Sequence, residues 1–239
     1  LIFGIETSCD ETAAALLEIK GGRFKVKSNV ISSQVKIHAK YGGVVPEVAA
    51  RKHLEMMIPV VKKALGRVSP RRLNAIAVTA GPGLITALLV GVETARALAF
   101  GWNKPLIAVN HLEGHICANW LDSKFKIQNS KFSALALIVS GGHTELVLMK
   151  DFGKYKIIGE TLDDAVGEAF DKVAKILNLG YPGGPAVARE ADKFEIRNPP
   201  STSSESRAES REKSETNSKF SLPRPMLNSP DFNFSFSGL

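Results

Sequence analysis

Twice along this chain an apolar run passes through a short turn of small polar residues into a second apolar run. Leu1-Ile2-Phe3-Gly4-Ile5 leads through Glu6-Thr7-Ser8-Cys9-Asp10-Glu11-Thr12 into residues 13–19. Ala134-Leu135-Ala136-Leu137-Ile138-Val139 leads through Ser140-Gly141-Gly142-His143-Thr144 into residues 145–149. Aliphatic runs of this length bounded by turn residues are strands. Each passage therefore predicts a β-hairpin whose tip carries chemistry, and the recurrence predicts an α/β chain with a duplicated plan. With 239 residues it can bury one large core or two small ones.

The segments around the hairpins supply helices and further strands. Residues 46–65 carry a helical pattern with an interruption expected near Pro59. Residues 75–79 read as a strand, and Ala80-Gly81-Pro82-Gly83 then opens a long apolar helix over 84–100. Gly81 and Gly83 let the backbone approach a ligand or a neighbouring strand, or simply pack a tight turn. Pro105-Leu106-Ile107-Ala108-Val109 is a short buried strand. Beyond the second hairpin, residues 167–177 form an amphipathic helix, and Tyr181-Pro182-Gly183-Gly184-Pro185 is a rigid loop.

Residues 195–219 differ in kind, being rich in Ser, Glu, Arg, Lys, Asn, Thr and Pro. Such a composition cannot offset its own ordering entropy, so a disordered surface insertion is expected there. Its five acids balance its five bases, which leaves the net charge of +7 to the folded part. That excess, with a pI near 9.4, is compatible with an RNA partner. No apolar run approaches the ~20 residues that span a bilayer, and no signal peptide is visible. The two cysteines, Cys9 and Cys117, make no disulfide framework, so a reducing cytoplasm is expected. The chain opens without Met, which suggests that residues precede Leu1.

His111 and His115 stand four residues apart where the strand at 105–109 gives way to a helix. That spacing puts both imidazoles on one helix face, close enough to hold one metal ion. The carboxyl end of a strand is the usual ligand position in α/β sheets. The alternative is a pair of helix-start histidines donating to nearby carbonyls. A zinc protease would place a Glu directly after the first His. Glu113 lies two positions on and faces away, and Cys117 is likewise on the wrong side for a ligand.

Other candidates are weighed in the same way. Asp10 and Glu11 at the first tip orient a nucleophile or act as a base, or are solvated turn residues. The second tip, Ser140-Gly141-Gly142, offers backbone N–H groups and a hydroxyl to a phosphate or ribose. Asp171 accepts from ribose hydroxyls, or complements its helix dipole and pairs with Lys175. Gly183 and Gly184 let an adenine lie on bare backbone. His143 contacts a ligand or makes local turn hydrogen bonds. The duplicated hairpin plan resembles the actin, sugar-kinase and heat-shock-ATPase (ASKHA) superfamily, whose hairpin tips grip phosphates across an interdomain cleft. It implies a first lobe over residues 1–110 and a partial second lobe over 111–239.

Several motifs in order carry a closer resemblance. They are Gly4-Ile5-Glu6-Thr7-Ser8-Cys9-Asp10-Glu11-Thr12, Tyr41-Gly42-Gly43-Val44-Val45-Pro46-Glu47, Thr79-Ala80-Gly81-Pro82-Gly83-Leu84, the His111/His115 pair, Val139-Ser140-Gly141-Gly142-His143-Thr144 and Gly167-Glu168-Ala169-Phe170-Asp171-Lys172. Over residues 1 to about 194, and again at 222–226 and 234–239, the chain resembles the TsaD family, long mislabelled as glycoprotein endopeptidases. The resemblance implies transfer of the threonylcarbamoyl group from threonylcarbamoyl-adenylate to N6 of the adenosine 3′ of the anticodon, in tRNAs reading codons that start with A. It implies one divalent metal, Fe2+ or else Zn2+, on His111 and His115, acting as a Lewis acid. Ile138, Val139, Ser140, Gly141, Gly142, Asp171 and Gly184 would bind the adenylate. Implied partners are tRNA, a TsaB-like paralogue and a TsaE-like ATPase, with no membrane. The family pattern continues past Leu239 with an Asn on the adenylate and an Asp on the metal, so weak metal binding and poor transfer are expected of this chain alone. The competing readings are a phosphate-transferring enzyme of the same superfamily and a non-catalytic scaffolding paralogue.

Overall fold

In the computed structural model, which describes residues 1–121, 133–197, 224–226 and 228–238, the first apolar run becomes β1 (Ile2–Glu6). It turns into β2 (Glu11–Lys20), antiparallel to it from Ile2 opposite Leu17 to Glu6 opposite Ala13. β3 (Arg23–Ser33) adds to β2 as an antiparallel edge, while β4 (Ala75–Gly81) and β5 (Leu106–Asn110) join parallel on the other side. The sheet order is β3-β2-β1-β4-β5. Side chains alternate across a strand, so Phe3, Ile5, Leu16, Ile76 and Val78 all point to one buried face.

Two helices cover that face. After a short helix α1 (Val35–His38), α2 (Pro46–Leu65) lays Met57, Val60, Val61 and Ala64 on the sheet, and α3 (Ile85–Trp102) adds Ala95 and Ala99. The break expected near Pro59 is absent: α2 runs through it. Pro59 removes one backbone donor, but the buried stripe from His53 to Ala64 holds both halves on the same sheet. By length and composition α3 is apolar enough to cross a membrane, which run length alone did not anticipate. Its Ala87, Leu88, Gly91, Ala95 and Ala99 are buried here.

The chain divides into two compact units, Leu1–Phe132 and Ser133–Leu239, not at residue 110. The reason is α4 (His111–Ala118), which packs on β4 and β5 and so stays with the first sheet. In the second unit β6 (Ala134–Val139), β7 (Thr144–Asp151) and β8 (Lys154–Glu160) form an antiparallel meander. α5 (Val166–Ile176) packs against α6 (Gly183–Arg197), whose first residues were read from sequence as loop. Glu195 to Arg197, assigned to the disordered insertion, continue α6; the remainder of that insertion lies outside the described residues. Residues 234–237 close the unit: Phe234 bridges Thr161, and Asp163 accepts from Ser235 Oγ–H at 2.6 Å and from the N–H groups of Phe236 and Ser237 at 2.8 and 3.2 Å. Those hydrogen bonds, led by Ser235, hold the Asp163 carboxyl at about 2.

Candidate functional site

Three parallel strands end at one edge of the first sheet, and their last residues meet there. β1 ends on Glu6, β4 carries Thr79 near its end, and β5 leads directly into His111, the first residue of α4. Asn110 caps that helix, accepting the N–H groups of Leu112 and Glu113 at 2.9 and 3.2 Å, which fixes the first turn. One turn later His115 comes round on the same face. The two Nε2 atoms stand 3.1 Å apart with the rings edge to face. Two nitrogens each about 2.0–2.1 Å from one ion lie about 3 Å apart, so the pair fits a single divalent metal.

The other nitrogen of His111, Nδ1, faces Ser8 Oγ at 3.1 Å and Glu6 Oε2 at 3.3 Å. A carboxylate behind a ligating imidazole fixes its tautomer and raises its basicity. Glu6 is held in turn: Thr79 Oγ1–H donates to Oε2 at 2.5 Å, and Ser8 N–H donates to Oε1. Burial opposes its charge, but the hydrogen bonds from His111, Thr79 and Ser8 outweigh burial and hold the carboxyl down at about 2. Among the described residues no third His, Cys, Asp or Glu joins the pair. The sequence reading did not single out Glu6 or Thr79. Their signal was position, as polar residues at the carboxyl ends of apolar strands.

Asp10 and Glu11 sit on the first tip, Asp10 half-buried and Glu11 exposed. Partial burial and the Asp10 charge push the Glu11 carboxyl up, while the Ser33 hydroxyl acts in the opposite direction. The turn at Gly83 lies against this tip. A Cβ there would come 2.6 Å from the Ser8 carbonyl oxygen, which accepts the Leu84 N–H at 2.8 Å. Gly83 thus serves close backbone packing, whereas the Cβ position of Gly81 is open. Behind the tip, Thr12, Gln34, His38 and His53 are fully buried. The sequence reading gave no role to the last three.

The second tip is built differently. Ser140 Oγ accepts the N–H groups of His143 and Gly142 at 2.9 and 3.3 Å and donates to the His143 carbonyl at 3.2 Å. Ser140 N–H also donates to the His143 carbonyl at 2.9 Å, so of the N–H groups expected to face a phosphate those of Ser140 and Gly142 are already engaged within the turn. Ile138 is buried and Val139 exposed, while Gly141 and Gly142 have open space at their Cβ positions. The N-terminus of α5 sits under this tip: Gly167 N–H donates to the Ser140 carbonyl at 3.1 Å, and a Cβ on Gly167 would meet that oxygen at 2.6 Å. Asp171 Oδ1 accepts the Gly183 N–H at 2.6 Å, tying α5 to the start of α6. Gly183 packs on Asp171 and Phe170, but Gly184 is open. Asp171 and Gly184 thus fall at the α5–α6 junction.

A family model described as TsaD, tRNA N6-adenosine threonylcarbamoyltransferase, matches residues 25–239. A curated relative of that name from Thermomicrobium roseum is 51% identical over 243 residues, covering 100% of this chain and 60% of its own length. The Bacillus subtilis relative of the same name is 47% identical over 240 residues, covering 100% and 61%. Among solved structures, YeaZ from Pseudomonas aeruginosa aligns at 18% identity and a TM-score of 0.40, covering 65% of this chain and 63% of that one. The chain thus spans about 60% of the length of the curated relatives it matches. It belongs to the TsaD family of tRNA N6-adenosine threonylcarbamoyltransferases.

Proposed function

We propose that the protein carrying this chain transfers a threonylcarbamoyl group from threonylcarbamoyl-adenylate to N6 of the adenosine 3′ of the anticodon, in tRNAs reading codons that start with A. The observation that carries the reading is the His111/His115 pair with Glu6 behind it, at the strand ends of a chain of this family. His111 and His115 would hold one divalent ion, Fe2+ or Zn2+. When bound, that ion supplies Lewis-acid polarisation of the acyl-phosphate oxygens.

In the transfer, the N6 amine forms a bond to the carbamoyl carbon. The bond from that carbon to the phosphate oxygen breaks, and AMP leaves with the electron pair. The amine proton passes to a carboxylate; Asp10 and Glu11 are the candidates, and the raised Glu11 is the better-matched base. In the second unit, Ile138 to Gly142, Asp171 and Gly184 would bind the adenylate, through the bare backbone at Gly141, Gly142 and Gly184. Partners of this reading are tRNA, a TsaB-like paralogue and a TsaE-like ATPase, in the cytoplasm and away from membranes.

The test uses the full-length protein with iron, threonylcarbamoyl-adenylate and tRNA, partners present, and mass spectrometry of the tRNA nucleosides. Modified adenosine is expected. No product with metal bound overturns the reading, and phosphate release from ATP in its place points to the phosphotransfer alternative. Metal content checks the site independently: His115→Ala should lose bound metal, and Glu6→Gln should weaken affinity by about 10–100-fold. Metal retained in both variants would remove the pair from the site.

A further inference from the structure

Behind the first hairpin tip lies a closed chain of hydrogen bonds among side chains that are all fully buried. Its direction follows from chemistry. The Cys9 carbonyl can only accept, so His53 Nε2, 3.0 Å away, must carry the proton. His53 Nδ1 then accepts, from Thr12 Oγ1–H at 2.8 Å and from Gln34 Nε2–H at 3.4 Å. The second Gln34 N–H goes to the Ala49 carbonyl at 3.4 Å, which leaves Gln34 Oε1 to accept from His38 Nε2–H at 3.1 Å. His38 Nδ1 accepts the Val45 N–H at 3.3 Å. Each imidazole thereby donates through Nε2 and accepts through Nδ1, so that each of their ring nitrogens has a partner.

The same assembly holds the next carbonyl of the tip, because Gln34 N–H donates to the Asp10 carbonyl at 2.9 Å. Two successive carbonyls, Cys9 and Asp10, are therefore gripped from inside, next to the half-buried side chain of Asp10 and the exposed one of Glu11. The far end of the chain explains a motif that the transferase chemistry leaves unused. Gly42 takes a left-handed φ of 73°, which returns residues 43–45 over His38, and Pro46 then starts α2. α2 carries both Ala49 and His53. The Tyr41 to Glu47 segment is a brace.

We propose that His53 is a positioning residue: through its donated hydrogen bond to Cys9 it sets the geometry of the tip that carries Asp10 and Glu11. This role rests on the transferase reading above. Two variants separate its parts. His53→Gln puts an amide donor near the place of Nε2 and keeps the bond to Cys9. His53→Asn reaches only as far as Nδ1, keeping the Thr12 side and losing Cys9.

In the full-length protein with its partners, His53→Asn should lower kcat roughly tenfold to a hundredfold while KM for the adenylate stays within about twofold. His53→Gln should restore turnover to within about threefold of wild type. Deuterium uptake at the amides of residues 9–12 should rise in the Asn variant and not in the Gln variant, with β4 and β5 unchanged. Thr12→Val, which removes only the hydroxyl on Nδ1, should give the same signs at smaller size and covers an Asn variant that does not fold. Turnover within twofold of wild type in His53→Asn overturns the proposal, as does a loss of protection spread over the whole unit. If the wild-type protein transfers nothing, the transferase reading fails on its own. The uptake pattern still decides whether His53 sets the tip.

Discussion

The two hairpin tips share a backbone plan and differ in what stabilises them. In each unit a helix N-terminus donates an N–H to the carbonyl of the tip serine: Leu84 to Ser8, and Gly167 to Ser140. In each, a glycine marks the closest approach, Gly83 and Gly167, with a Cβ position 2.6 Å from that carbonyl oxygen. Behind this common frame the first tip is braced by the buried His53–Gln34–His38 chain, and its Ser8 and Glu6 turn toward His111. The second tip has no need of a buried brace, since the Ser140 hydroxyl closes the turn on itself. A duplicated frame can thus present side chains in one copy and bare backbone in the other.

The largest effect should come from breaking the shared frame. Gly83→Ala meets the Ser8 carbonyl and also sits at a φ of 157°, in the range that favours glycine. Overpacking costs about 1–3 kcal/mol and an unfavourable φ a similar amount, so a loss of about 3 kcal/mol or more is expected. Gly167→Ala has the same contact, with Gly167 in α5 and not among the positive-φ glycines, so a loss of about 2 kcal/mol is expected. Urea unfolding of both variants decides the matter. Equal losses would show that backbone conformation adds nothing at Gly83. A loss below about 0.5 kcal/mol at either position would refute the frame itself.

The hairpins were legible because their strands are aliphatic over whole runs and their turns are not. β3 and β8 were not, because both are edge strands: Arg23, Lys25, Lys27, Asn29 and Ser33 alternate outward on β3 and dilute the pattern. α6 was missed because Gly183, Gly184 and Pro185 read as loop, although Pro is at home in a first helical turn. The histidine pair was visible as a local spacing on one helix. Glu6 stands 105 residues from His111, and no local pattern announces that contact. The buried brace joins β2, α1 and α2 through single residues, so only the folded chain brings it together.

Acid should separate the two units. Burial is the leading cause that keeps the His53 pKa below its ordinary value of 6.5. Its neutral form is favoured in the folded state, and the unfolded chain binds more protons below that value. Stability of the first unit is therefore full above pH 6.5 and falls as pH drops below it. Glu6 follows at lower pH, since its carboxyl moves from 4.5 to about 2 and its contribution is lost between those values. In the second unit the corresponding loss comes from Asp163 and falls lower, between its ordinary value of 3.8 and the value of about 2 that it has in the fold. Both tryptophans, Trp102 and Trp120, lie in the first unit, so their emission reports that unit alone. Urea midpoints followed by Trp emission should fall from pH 7 to pH 5 in the wild type and fall less in His53→Gln. A flat wild-type profile would mean that His53 is not held neutral.

The smallest effect should be at the second tip. Ser140→Ala removes one oxygen that satisfies two N–H groups, Gly142 and His143. In a buried site each N–H group left without a partner would cost about 1–3 kcal/mol. Gly142 is exposed and His143 only half-buried, however, so water replaces the serine at little cost, and about 1 kcal/mol is expected. The released N–H groups then face outward. If the adenylate phosphate binds this tip through backbone donors, Ser140→Ala should leave adenylate affinity within about threefold of wild type, or improve it, despite the loss of stability. If the hydroxyl itself contacts the phosphate, affinity should fall roughly tenfold. Calorimetric titration of the adenylate into both proteins separates the two, and a tenfold loss would mean that the Ser140 side chain, and not the freed backbone, binds the ligand.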